Sequence, residues 1–188
     1  LATTKMRQLK YAEKKLLKHT DFLKWEVDNN LKEVKILKRY MIQRRDDYTL
    51  YNKMSRETRE LANKIKDLDP KDPFRMEASG RLIEKLYTMG LIPTKWNLEF
   101  CNRVSASSFC RRRLPCIMVR NKMSPNLSTA ITFIEHGHIR VGPEVVKDPA
   151  FLVTRALEDY VTWVDTSAIR KHVKEYNEER DDFDLSNC

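Results

Sequence analysis

From Met6 to Leu68 the sequence contains neither glycine nor proline. A run of that length without either breaker is expected to be mostly helical. Leu31, Val34, Leu37 and Met41 fall at three- and four-residue spacing, and so do Met54, Thr58, Leu61, Ile65 and Leu68. Both series predict apolar helix stripes. Arg45-Asp46-Asp47 between them predicts a break. The opposite faces carry Lys32, Lys35, Arg39, Arg44, Lys53, Arg56, Arg59 and Lys66. That positive excess suits an RNA backbone, although a solvated face would look the same.

Punctuation begins at Asp69-Pro70-Lys71-Asp72-Pro73, which predicts a turn. A helix is expected from Phe74 to Met89 with Leu82, Ile83 and Leu86 buried, capped by Gly90, followed by a short helix over Leu98–Val104. Pro115 suits the first turn of a helix running through Cys116-Ile117-Met118-Val119. Ser124-Pro125 predicts the cap and first position of another, with Leu127, Ala130, Ile131 and Ile134 as its stripe and Gly137 at its end. Beyond Gly137 the period changes. His138–Val141, Val145-Val146, Phe151–Val153 and Tyr160–Val164 are expected as short strands. A last helix should open at Thr166 or Ser167, with Ile169, Val173 and Tyr176 on one face, before the acidic stretch Glu178–Asp184.

The fold class that follows is α+β. Residues 6–104 form a helical N-terminal region, residues 105–165 an αα–β module, and residues 166–188 a helix with an acidic tail. Met6 is expected close to the native start. No run reaches the length of a membrane helix, so no membrane partner is expected, and Leu1–Lys5 lacks a secretory pattern. The net charge of +9 is divided as +9 over residues 1–66, −1 over 67–99, +6 over 100–142 and −5 over 143–188. A polyanion on the basic side and a basic protein surface on the acidic side would fit this division. Cys101, Cys110, Cys116 and Cys188 form no C-x-x-C pair. Reduced, buried thiols are expected rather than a zinc knuckle.

Arg111, Arg112, Arg113, Arg120, Lys122 and Arg140 cluster in or beside the module. Guanidinium forks match phosphate oxygens bidentately. His136-Gly137-His138 lacks a third ligand for a metal, and no Gly-rich phosphate loop or catalytic set stands anywhere in the chain. No cofactor and no enzymatic activity are expected.

Arg112-Arg113-Leu114, Ser128-Thr129-Ala130 and Glu135-His136-Gly137-His138-Ile139-Arg140-Val141-Gly142 resemble the S4 domain, an RNA-binding module first recognised in a ribosomal protein. The usual signature has an arginine where Ser128 or Thr129 stands. Tyr11–Lys18, Asp21–Trp25, Ala106–Pro115, Asp148–Arg155 and Glu175–Asp184 are similar to the S4-type proteins of the U3 small nucleolar ribonucleoprotein. The resemblance implies a non-enzymatic nucleolar RNA-binding component of the small-subunit processome. It would pair U3 RNA with pre-ribosomal RNA, so that cleavages leading to 18S RNA can occur. It implies a Brix-domain protein and a large acidic scaffold protein as partners. The expected RNA-binding set is Arg111, Arg112, Arg113, Arg120, Lys122, Asn126, Ser128, His138 and Arg140. Two other classes also carry S4-type modules. A structural ribosomal protein of the S4 family would be expected to end in a basic tail, whereas this chain ends acidic. S4-bearing pseudouridine synthases and tyrosyl-tRNA synthetases need a separate catalytic domain, and no room for one remains.

Overall fold

A computed structural model describes residues 7–21, 26–27 and 31–179. The chain divides into two compact units, residues 1–39 and 40–188. In the first unit, helix α1 (Tyr11–His19) is followed by strands β1 (Thr20–Asp21) and β2 (Glu26–Val27), paired antiparallel with Thr20 opposite Val27, and then by α2 (Leu31–Arg39). Glu13 reaches back to accept from the Lys10 N–H at 2.9 Å, and Arg7 holds its carboxylate at 2.7 Å. This closes the start of α1.

Among the described residues the β1–β2 pair interrupts the expected helical run, and residues 40–44 interrupt it again just ahead of the break expected at Arg45-Asp46-Asp47. At the second break Met41 takes a left-handed backbone, φ 48°. Asp46 and Asp47 do not end a helix, as their charge suggested. They occupy the first turn of α3 (Arg45–Lys66), where carboxylates face the positive end of the helix dipole.

The second unit is built on α3. Its inner face is Tyr48, Tyr51, Ser55, Ala62 and Ile65. Of the expected stripe, Ile65 is buried, Met54, Thr58 and Leu68 are half-buried, and Leu61 remains 48% exposed. Packed on α3 are α4 (Pro73–Thr88), α5 (Glu99–Asn102) and α6 (Ala106–Cys110). Tyr51 stacks on Phe109 with ring centroids 6.0 Å apart, and its hydroxyl donates to the Ala150 carbonyl at 3.1 Å. Asp72 caps α4 by accepting from the Phe74 N–H at 2.9 Å. Gly90, at φ +75°, closes it through paired bonds, Gly90 N–H to Tyr87 O and Leu91 N–H to Leu86 O, each 2.9 Å.

The αα–β module follows. Helices α7 (Leu114–Arg120) and α8 (Leu127–Glu135) pack on a three-stranded antiparallel sheet of order β4-β3-β5, with β3 Ile139–Val141, β4 Glu144–Val145 and β5 Val161–Trp163. Ile139 and Val141 point inward and Arg140 outward, the period-two alternation of a one-sided sheet. Leu114, Ile117, Met118, Ala130, Ile134, Val153 and Val161 complete this core with them.

Two local expectations are corrected. Asn126, not Ser124, stands at the cap position of α8. Ser124 is buried two residues earlier, its hydroxyl 2.6 Å from that of Thr129. Phe151–Val153 makes no strand but a single bridge, Leu152 opposite Arg113. Leu114 N–H donates to Phe151 O and Val153 N–H to Arg112 O, each at 2.9 Å. This short pairing ties the arginine run to the segment before β5. The last helix, α9 (Ala168–Tyr176), opens at Ser167, whose hydroxyl accepts from the Ile169 N–H at 3.2 Å. Its expected apolar face is little covered, with Val173 38% and Tyr176 84% exposed. The fold class is α+β: a helical N-terminal region, the αα–β module and a C-terminal helix. Arg180–Asp184 of the acidic tail lies outside the described residues.

Candidate RNA-binding surface

The three consecutive arginines part company. Pro115 sets the start of α7, and Arg113, at its cap position, is in extended conformation. This turns Arg112 and Arg113 into the interior while Arg111 stays outside. Arg112 is 5% exposed, and its Nε and Nη2 donate to the Val153 carbonyl at 2.9 and 2.7 Å. Its Nη1 meets Glu158 at 2.9 Å. Arg113 is 1% exposed, with the Tyr40 carbonyl at 3.4 Å and Asp47 at 4.0 Å. A guanidinium so enclosed has no route to an RNA phosphate. The expectation that Arg112 and Arg113 grip RNA is corrected on that ground: Arg112 is held by the Val153 carbonyl and Glu158, and Arg113 by the Tyr40 carbonyl beside Asp47.

The rest of the expected set lies at the surface, wholly or in part. Arg111 is exposed and reaches the Tyr40 hydroxyl at 3.3 Å through Nε alone. Arg120, its side chain 52% exposed, closes on Glu158 at 2.8 Å. Lys122 is exposed in the turn between α7 and α8. It takes the left-handed position, φ 59°, of a helix-ending motif, with Lys122 N–H to Val119 O at 3.2 Å and Met123 N–H to Met118 O at 2.9 Å. Glycine usually occupies that position. Asn126 and Ser128 stand exposed at the start of α8. On the sheet, Arg140 donates to Asp165 at 2.7 Å and to the Thr162 hydroxyl at 3.1 Å. Asp165 also pairs with Arg170. His138 is half-buried, with Nδ1 3.0 Å from the Ser167 hydroxyl and its ring edge toward Phe133 and His136. Two groupings emerge: Arg120, Lys122, Asn126 and Ser128 around the α7–α8 turn, and His138 with Arg140 on the sheet.

Glu158 joins Arg120 of the first grouping to the buried Arg112, and sequence reasoning did not single it out. Its two oxygens take Arg112 and Arg120 separately. Burial pushes its carboxyl up, but the hydrogen bonds and charges of the two arginines together outweigh this and hold it below its ordinary value. The only sign in the sequence is Glu158-Asp159, an acidic pair beside the basic module. Cys101, Cys110 and Cys116 form no disulfide. Burial pushes Cys110 up to about 11, so it remains protonated and apolar at neutral pH. Among the described residues no three His, Cys, Asp or Glu side chains converge to hold a metal, and no helix is long and apolar enough to cross a membrane.

Comparison with known proteins agrees with this architecture. Residues 8–111 match the family model described as ribosomal protein S4/S9 N-terminal domain, and residues 112–159 match the S4 domain. The chain is 60% identical to the U3 small nucleolar ribonucleoprotein protein IMP3 of Mus musculus, over 96% of this chain and 98% of that protein. It is 59% identical to that of Homo sapiens over the same shares. For the protein of the same name from Saccharomyces cerevisiae the identity is 48%, over 96% of this chain and all of that one. The chain belongs to the IMP3 family of S4-type proteins.

Proposed function

We propose that this protein is a non-enzymatic, RNA-binding component of the U3 small nucleolar ribonucleoprotein, acting in the nucleolus within the small-subunit processome. The observation that carries this reading is near full-length similarity to proteins named for that particle. Its task in this reading is to promote pairing of U3 RNA with pre-ribosomal RNA for 18S RNA processing. Base pairing supplies the sequence information, and the protein supplies charge and shape. Arg111, Arg120, Lys122 and Arg140 present cations outside the core. Neutralised phosphates on two strands repel each other less, so the strands can anneal. The lysine in a glycine's place supports the assignment. Holding an L-residue in that backbone costs about 1 kcal/mol, which a side chain with a surface task would justify.

The partner assignment rests on a different surface. A groove of about 460 Å³ runs between α3 and α4, floored by Leu61, Phe74 and Leu82 and edged by Lys64, Arg81 and Lys85. An adjoining hollow of about 440 Å³ shares Leu61, Leu82 and Lys85. Apolar floor and basic edge suit an acidic amphipathic segment, such as the large acidic scaffold protein would offer. The Brix-domain protein is assigned as the second protein partner from the resemblance alone.

The test is strand annealing with labelled U3 and precursor fragments and the purified chain. Acceleration without any nucleotide, fading as salt rises, is the expected result. A requirement for ATP, or no acceleration at low salt, overturns the annealing role.

A further inference from the structure

We infer that Trp96 is a stacking platform for an unpaired RNA base, at a site outside the S4-type module. This deepens the RNA-binding reading and rests on it. At 89% exposure Trp96 is the most exposed large apolar side chain among the described residues. No hydrogen bond or ring contact involves it there. Yet the segment carrying it is pinned on both sides. Upstream, Ile92 is 2% exposed and its carbonyl accepts from Arg155 Nη2 at 2.9 Å. Lys95 Nζ lies 4.9 Å from the Tyr87 ring centre and 3.7 Å from Glu84. Downstream, the Asn97 side chain accepts from the Glu99 N–H at 3.1 Å, fixing the start of α5. An indole with no burial to gain is thus displayed by a braced loop.

Lys95 adjoins Trp96 in sequence. Arg155 lies 4.2 Å from the centre of the same Tyr87 ring that Lys95 approaches, and remains exposed. Arg103 follows on the same short stretch, 5.7 Å from the Phe100 ring centre. Interleaved aromatic and basic side chains are what single-stranded nucleic acid requires: a ring face for a base and cations for the phosphates on either side. A paired base offers no free face, so the site should select single strands. A protein anchor is the competing occupant for an exposed tryptophan. Lys95 beside it in sequence, Arg103 farther along the same stretch and Arg155 over the Tyr87 ring favour a polyanion over an apolar pocket.

The experiment uses the full chain, a single-stranded oligouridylate of about a dozen nucleotides and an RNA duplex of similar length. W96A should bind the single strand about tenfold more weakly, with duplex affinity unchanged. W96F should retain most of the affinity. The salt slope of W96A should match the wild type, since no cation is lost. Circular dichroism checks the fold, which substitution of so exposed a side chain should preserve. Unchanged single-strand binding by W96A overturns the platform, as does an equal loss on duplex. Loss of capture of the acidic scaffold protein with RNA affinity intact makes Trp96 a protein contact instead. Failure of the wild type to bind either RNA sinks the RNA-binding reading itself, whereas failure of the Trp96 arm alone leaves that reading standing.

Discussion

Arg112 donates twice to the carbonyl of Val153, from Nε at 2.9 Å and Nη2 at 2.7 Å, across 41 residues of sequence. With the Arg112 carbonyl accepting from the Val153 N–H in return at 2.9 Å, this pair locks the segment before β5 onto the start of α7. Arg112→Ala would leave the Val153 carbonyl without its side-chain donors in a buried place and Glu158, itself partly exposed, with Arg120 alone. A stability loss of about 1–3 kcal/mol is expected in urea unfolding. Arg112→Lys should rescue little, because an ammonium cannot span the carbonyl and the carboxylate as the planar fork does. The salt slope of RNA binding by the folded fraction should not change. Full stability with a flatter salt slope would return Arg112 to the RNA-facing set.

Glu158 gives this lock a pH dependence. Its folded carboxyl sits below the ordinary 4.5, because Arg112 and Arg120 outweigh the effect of burial. A depressed folded value means that the stabilisation is complete above the unfolded value and is lost as pH falls through the folded one. The wild-type Tm should therefore drop below about pH 4.5 more steeply than that of Glu158→Gln. The variant should be the less stable of the two at neutral pH. Parallel Tm curves for the two proteins would remove Glu158 from this role.

Element types in the S4-type module were legible because punctuation and period agreed. Gly137 ended α8 where expected, and the alternation of Ile139, Arg140 and Val141 marked β3. In the N-terminal region Arg45-Asp46-Asp47 pointed to a break that lies just before it, at residues 40–44, while no residue of the glycine-free run announced the β1–β2 pair. Met41 takes φ 48° without the residue type that announces such a turn. The arginine run misled for a related reason. Sequence gives charge but not burial, and three adjacent arginines look alike until the bend before α7 sends two of them inward. Their acceptors, Val153 and Glu158 for Arg112 and Tyr40 and Asp47 for Arg113, lie tens of residues away. No local pattern could name them.

The α3–α4 groove makes a prediction about protein docking that is separable from RNA. Reversing Arg81 and Lys85 together to Glu would turn its basic edge acidic without touching the floor. Both side chains are exposed, so stability should change by no more than about 0.5 kcal/mol. Capture of the acidic scaffold protein should fall at least tenfold. Oligonucleotide binding by the α7–α8 turn should persist. Retained capture, or a loss confined to RNA, would detach the groove from the scaffold.

Lys122 offers the sharpest separation of folding from binding. Its φ of 59° and its two bonds to the end of α7 describe a turn that glycine enters without steric cost. Lys122→Gly should therefore leave the fold as stable or stabilise it by up to about 1 kcal/mol. The same change removes one exposed cation from the α7–α8 turn. RNA affinity should fall, and the slope of log affinity against log salt should flatten by about 1, one phosphate contact's worth. Arg111→Ala, on the other side of the buried pair, supplies the comparison: a similar change in slope, but with no gain in stability, because its backbone is unstrained. The two effects of Lys122→Gly run in opposite directions, so partial unfolding cannot imitate them. A variant that gains stability and keeps full RNA affinity and slope would show that Lys122 contributes no phosphate contact.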